Sequence, residues 1–218
     1  MLRLHLMGKV FFDVSMTLDG FIAGPNGGPK NPLGDGGLRI HDWMFEQKAF
    51  RQHLRIGNDG KTGPDNDLIE QIFRRIGANI MGRRMFDEGE PSWPDDTFQA
   101  APVFVITHHV RPSWKRSGGD VFHFFDDPIQ EVLQEAKDAA GRKDIRISGG
   151  ATAIQQFLNA GLVEEFTLHL TPMVLGRGVR LFDGVEPSKL RIELMGSTQS
   201  TKVSHLRYRI TTPNRNGA

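Results

Sequence analysis

Apolar positions along the chain switch repeatedly between the two-residue repeat of a strand and the three-to-four-residue repeat of a helix. Lys9 to Ser15 (KVFFDVS) is β-branched and aromatic and predicts a strand. It runs into MTLDGFIAGPNGGP, where glycines and prolines predict an irregular loop that continues from Asn31 to Gly37. Ile40 to Phe50 (IHDWMFEQKAF) predicts one helix with Trp43, Met44 and Phe50 turned inward. A second Gly-rich loop runs from Ile56 to Pro64, and loops of such length within a domain commonly carry function. In DNDLIEQIFRRIG, Leu68, Ile69, Ile72, Phe73 and Ile76 fall at helical spacing, with Gly77 as the stop.

ANIMG predicts a short buried strand and RRMFDEG a helical turn. Pro102 to Thr107 (PVFVIT) is the unbroken apolar run of a strand covered on both faces. Asp127, Pro128 and Gln130 supply an N-cap, an N1 proline and a capping box. The helix they open turns Ile129, Val132, Leu133, Ala136 and Ala140 to one side before Gly141. DIRIS predicts a strand, ATAIQQFLNAG a helix, EEFTLHLTPMV a strand, and LRIELMGSTQSTKVSHLRYRIT a hairpin. Strands and helices alternate and a hairpin closes the chain. The expected fold is therefore α/β, a single domain over 1–218, with a mostly parallel central sheet, helices on both faces and a C-terminal antiparallel hairpin.

Composition narrows the function classes. The formal net charge is +1 and basic residues are scattered, which argues against a nucleic-acid partner. With no cysteine, disulfides, thiolate catalysis and cysteine-ligated zinc are excluded. No stretch approaches the ~20 apolar residues of a membrane span, and MLRLHLMGKV lacks a signal-peptide pattern, so a cytoplasmic protein without a membrane partner is expected. Of the eight histidines, His108 and His109 are adjacent and diverge, while His5, His53, His123, His169 and His205 have no ligand-like spacing. Each of these reads as a core or surface histidine, and no metal is expected.

Two junctions could carry chemistry. Ile80-Met81-Gly82 ends a strand and Arg83-Arg84-Met85 opens a helical turn; Ile145 to Ser148 ends another, and Gly149-Gly150-Ala151-Thr152 opens a helix. A helix start presents unpaired N–H donors, and glycine lets a phosphate come close to the backbone. Arginine adds a planar, permanently charged fork. Either a tight turn or a phosphate-binding turn satisfies each junction taken alone. LGRGVRLF (Leu175 to Phe182) has two glycines of a dinucleotide fingerprint but lacks the third and its acidic partner, so Gly176 and Gly178 read as turn residues. Asp19 and Asp42 are the acids nearest the expected site, and each is equally a turn or helix cap.

VSMTLDGFIAG, IMGRRMF, PVFVITH, ISGGATAIQQFL and GLVEEFTLHLTPMVLGRGVRLF occur in this order. Together they resemble the reductase domain of the bifunctional riboflavin-biosynthesis deaminase–reductase, within the dihydrofolate-reductase-like family, from Lys9 to about Thr211. The resemblance implies a dihydrofolate-reductase-like sheet, NADPH as hydride donor and a homodimer, with the Glu164 to Val174 strand as its contact. It implies that Gly82, Arg83, Arg84 and Met85 hold phosphates, and that Thr107 and His108 sit by the adenosine 2′-phosphate. Ile147, Gly149, Gly150, Ala151 and Thr152 would pass beneath the nicotinamide and diphosphate, with Ile22 and Ala23 flanking the ring. HDWMF is similar to the dihydrofolate-reductase helix that carries an acid and a tryptophan, which makes Asp42 a candidate acid beside Asp19, and Trp43 a substrate contact.

Relatives that act on the ribosylated pyrimidine phosphate carry an Asp/Asn-Pro segment ending in arginine, where this chain has DEGEPSWPDDTFQAAP. The expectation is an NADPH-dependent reductase of a C=N or C=C bond in a small pteridine- or pyrimidine-like ring. The alternatives are a stand-alone riboflavin-pathway pyrimidine reductase and a non-catalytic nucleotide- or flavin-binding module.

Overall fold

In the computed structural model, which describes residues 8–211, the strand expected at Lys9–Ser15 is β1 (Val10–Thr17), and it runs through the middle of the sheet. His5 lies outside the described residues. In chain order there follow β2 (Phe21–Ala23), a 3-10 turn (Gly37–His41), α1 (Asp42–Phe45), α2 (Lys48–His53), α3 (Pro64–Arg75), β3 (Ile76–Gly82), α4 (Arg83–Gly89) and β4 (Val103–Ile106). Next come β5 (Trp114–Lys115), β6 (Val121–Phe125), α5 (Ile129–Ala140), β7 (Asp144–Gly149), α6 (Ala151–Asn159) and β8 (Glu165–Thr171). The last are β9 (Val179–Arg180), a 3-10 turn at Pro187–Lys189, β10 (Arg191–Gln199) and β11 (Ser204–Thr211).

The main sheet has the order β10-β11-β8-β1-β7-β3-β4-β6-β5, and β2 pairs with β9 in a small ribbon. The strands from β8 to β6 are parallel; β11, β10 and β5 are antiparallel to their neighbours. The expected mixed α/β fold is the observed one.

Four local expectations need correction. Ile40–Phe50 is not one helix: Gln47 takes an extended conformation (φ −86°, ψ 136°) and separates α1 from α2. The polar groups at this break are caught from elsewhere. Gln47 Nε2 donates to the Trp43 carbonyl, and the Ala49 N–H donates to Asn66 Oδ1 on α3 at 2.7 Å. α3 stops at Arg75, because Ile76 already has strand geometry, so Gly77 lies inside β3 rather than at a helix end. α5 begins after Pro128, whose ψ of 138° keeps it outside the helix, and Asp127 therefore makes no cap bond. β5 and β6 occupy a stretch to which the sequence pattern assigns no element.

Alternate residues of the central strands serve two purposes. One face (Val10 and Phe12, Ala78 and Ile80, Ile145 and Ile147, Phe166 and Leu168) packs against Val132, Leu133 and Ala136 of α5 and Ile154, Phe157 and Leu158 of α6. Phe12 and Phe166 stack with ring centroids 4.9 Å apart. The opposite face is polar at its centre: Asp13 and Ser15, Asn79, Arg146 and Ser148, and His169. On one side of that polar strip lies an aromatic cluster around Phe86, Phe122 and Phe124; on the other, Trp43, Ala49 and Ile69 pack with Val203.

Candidate active site

A cleft of about 1720 Å³ opens over the polar strip and along the carboxyl ends of β3, β4 and β7. Its floor is made by Asp13, Ser15, Asn79, Arg146, Ser148 and His169. The Arg146 guanidinium grips Asp13 through two parallel bonds, Nε to Oδ1 at 2.7 Å and Nη2 to Oδ2 at 2.8 Å. Burial pushes the Asp13 carboxyl up, but Arg146 and the nearby His169 ring outweigh it and bring its pKa down to about 2. His169 Nε2 lies 3.7 Å from Asp13 Oδ2, and its Nδ1 is 2.8 Å from Nδ1 of His205. His205 Nε2 in turn reaches Asp65 Oδ1 of α3 at 3.0 Å. His41, beside the same floor, has an Nδ1 shielded from solvent with no hydrogen-bond partner. Burial lowers the His41 pKa to about 4, so this ring is neutral.

The sequence-derived residues divide cleanly. Ile22, Ala23, Gly82, Arg83, Arg84, Met85, Thr107, His108, Gly149, Gly150, Ala151 and Thr152 all line the cleft. The structure brings the two strand–helix junctions together: an added Cβ on Gly82 would come 3.8 Å from the Gly150 nitrogen. Arg83 and Arg84 stand on α4, each in an ion pair one turn on, with Asp87 and Glu88. His108 is exposed at the mouth and meets Asp126 at 2.5 Å.

Four expected residues do not line the cleft. Ile147 is fully buried on the opposite, apolar face of β7. Asp19 is committed to a turn: its carboxylate accepts the Thr17 hydroxyl at 2.6 Å and the N–H groups of Leu175 and Gly176. Burial pushes the Asp19 carboxyl up, but these donors outweigh it and hold its pKa at about 2, so it carries no proton to give. Asp42 is exposed and borders a separate hollow of about 190 Å³ with Arg39 and Lys202. Trp43 is buried beneath the floor, its Nε1 donating to Ser15 Oγ at 3.0 Å and its ring packed on His169 and His205.

Asp13, Arg146, His169, His205 and Asp65 are the site residues that motif reading passes over. The signal for Asp13, Arg146 and His169 is a polar residue on one face of a strand otherwise apolar, while Asp65 lies in the first turn of α3. The His169–His205 pairing additionally needs the β8–β11 register, which places the two residues opposite one another. Gly176 (φ 80°) and Gly178 (φ 142°) shape a turn; a Cβ on Gly178 would come 2.2 Å from the Ala23 carbonyl oxygen, holding β9 close against β2.

Among known proteins, the chain is similar to the uncharacterized protein YyaP of Bacillus subtilis, at 29% identity over 192 residues and 85% of each chain. A Shewanella sp. PV-4 structure assigned to riboflavin biosynthesis superposes with a TM-score of 0.65 at 19% identity, covering 93% of this chain and 99% of that one. Dihydrofolate reductase from Enterococcus faecalis, solved with NADP(H), superposes at 0.54 with 13% identity, covering 95% and 99%. At such identities these likenesses establish a shared fold. The sequence pattern of the RibD C-terminal domain matches residues 8–206, and the chain therefore belongs to the RibD C-terminal domain family.

Proposed function

We propose that this protein is an NADPH-dependent reductase that delivers a hydride to a C=N or C=C bond of a flat, pteridine- or pyrimidine-like ring. The observation that carries the reading is the shape of the α6 start. Gly150 has an ordinary φ of −77°, and nothing lies within 4 Å of a Cβ added there. The protein alone would tolerate a side chain at this position; a ligand resting on the backbone would not. No side chain caps the start of α6, so its first N–H groups are available to an anion. Arg83 and Arg84 flank the same space and suit a phosphorylated nucleotide.

Bound there, the dinucleotide would supply a hydride. The chain's own contribution is to align donor and acceptor over the Asp13–Arg146 floor, to exclude water with Pro32, Leu33 and Leu38 of the loop after β2, and to orient the ring through Ser15, Asn79 and Ser148. Arg146 Nη1 has no partner among the described residues, which leaves one guanidinium N–H pair for an acceptor on the substrate.

We also propose a homodimer, through a different strand from the one expected. Both edges of β8 are occupied by β1 and β11, whereas β10 forms the free edge and exposes Ile192, Leu194 and Met195. Leu194→Asp should convert a dimer to a monomer in light scattering; a wild-type monomer would refute the assembly.

Calorimetric titration with NADPH and NADH, repeated on Arg84→Ala, tests the cofactor reading. NADPH should bind and weaken in the variant. Absence of binding by either nucleotide would refute the reductase reading and favour a module for another ligand.

A further inference from the structure

Reducing a C=N bond needs a proton as well as a hydride, and the acids nearest the cleft in sequence do not serve. Asp19 and Asp42 lie off the cleft. Asp13 is held ionised by Arg146, His41 is held neutral by burial, and His108 stands at the mouth, 93% exposed. What remains on the floor is His169. We propose that His169, backed by His205 and Asp65, is the proton donor of this site, its Nε2 delivering the proton to the substrate ring.

The bonding pattern argues for the direction of delivery. Asp65 accepts from Nε2–H of His205, which leaves His205 Nδ1 as a lone-pair acceptor. His169 Nδ1 therefore donates to His205, and any further proton on His169 resides on Nε2. That nitrogen faces Asp13 at 3.7 Å, too far for a direct hydrogen bond but close enough for the carboxylate to stabilise the imidazolium. Asp13 is thus the nearest acceptor to an Nε2 that is almost wholly buried at the cleft floor.

The charged and titratable groups facing His169 are Asp13 with its Arg146 partner, His205 with Asp65, and the neutral His41. The Nδ1 atoms of His169 and His205, 2.8 Å apart, leave no space for a cation between them. Burial, then the neighbouring His169, lower the His205 pKa against the pull of Asp65. Trp43 packs on both rings and fixes their planes.

The step balances with a reduced nicotinamide dinucleotide as hydride source. A hydride adds to the ring carbon and the C=N π pair takes the Nε2 proton at nitrogen. The imidazolium becomes neutral imidazole and regains its proton from water after product leaves.

This assignment rests on the reductase reading, and the test separates the two. Histidine-ring NMR on the nitrogen-15-labelled protein should show His169 with Nδ1 protonated and bonded to His205, and Asp65→Asn should disturb that arrangement. A His169 Nδ1 without a proton, or an unchanged spectrum in Asp65→Asn, overturns the donor. In turnover with 7,8-dihydropterin as probe, His169→Gln should slow hydride transfer about 100-fold with NADPH affinity intact. His205→Gln, which leaves His169 in place, should slow it less. If the wild type binds NADPH and reduces the probe but His169→Gln matches its rate, the donor alone falls. If the wild type neither binds NADPH nor reduces the probe, the reductase reading falls and takes the donor with it.

Discussion

His169 and His205 lie opposite one another across the antiparallel β8–β11 pair, with their Nδ1 atoms 2.8 Å apart and the indole of Trp43 against both rings. Two neutral imidazoles can share that contact only if one donates and the other accepts. The carboxylate of Asp65 decides which, because it fixes the His205 tautomer. Substituting His205 by Phe keeps the ring packing and removes the acceptor. The His169 Nδ1–H then loses its partner, and the nitrogen-15 shifts of His169 should report a changed tautomer. An unchanged spectrum would mean that the two rings are uncoupled.

Asp13→Asn should cost about 3–5 kcal/mol in chemical denaturation, because it leaves the largely buried Arg146 guanidinium without its counter-charge. Adding Arg146→Met should recover part of that loss. A single variant as stable as the wild type would show that the pair is not energetically coupled to the fold.

The pH dependence of stability has two windows. His41 and His53 are held near a pKa of about 4 in the folded chain, against 6.5 as the ordinary value, chiefly by burial. The unfolded chain therefore binds protons first, and stability should fall as pH drops from about 6.5 towards 4. Asp13, held at about 2 against 3.8, adds a second loss as pH falls from about 4 to 2. Urea midpoints across this range should show the first decline flattened in His41→Gln and His53→Gln.

Gly150→Val should leave the thermal midpoint within a few degrees of the wild type and weaken NADPH binding at least tenfold, on the order of 1.4 kcal/mol or more. Equal binding by the variant would remove the main structural support for a phosphate at the α6 start.

Asp19→Ala should speed amide hydrogen exchange at Leu175 and Gly176, whose N–H groups lose their acceptor, while Asp42→Asn should change neither exchange nor turnover. Loss of turnover in Asp42→Asn would restore that residue as the acid.

The alternation of strand and helix was readable because each central strand is a short apolar run and α3, α5 and α6 each keep one apolar stripe. The two glycine junctions were readable as strand ends that open helices, and the structure brings them together at one cleft. β6, VFHFF, escaped because it is only five residues long and His123 interrupts its apolar run. The break at Gln47 escaped because the groups that compensate it, Asn66 and Lys61, arrive from distant sequence. Asp13 and Arg146 sit singly in apolar strands, 133 residues apart, and only the sheet order makes them a pair.

The division of each central strand into an apolar face and a polar face has a consequence for descent. Ser15 of β1 and Ser148 of β7 can change with the ligand while Phe12, Ile147 and the Asp13–Arg146 pair keep the domain folded. Selection can therefore act on ring chemistry and on folding through separate sets of codons within the same few residues. A scaffold so partitioned can pass from one heterocycle to another without crossing an unfolded intermediate.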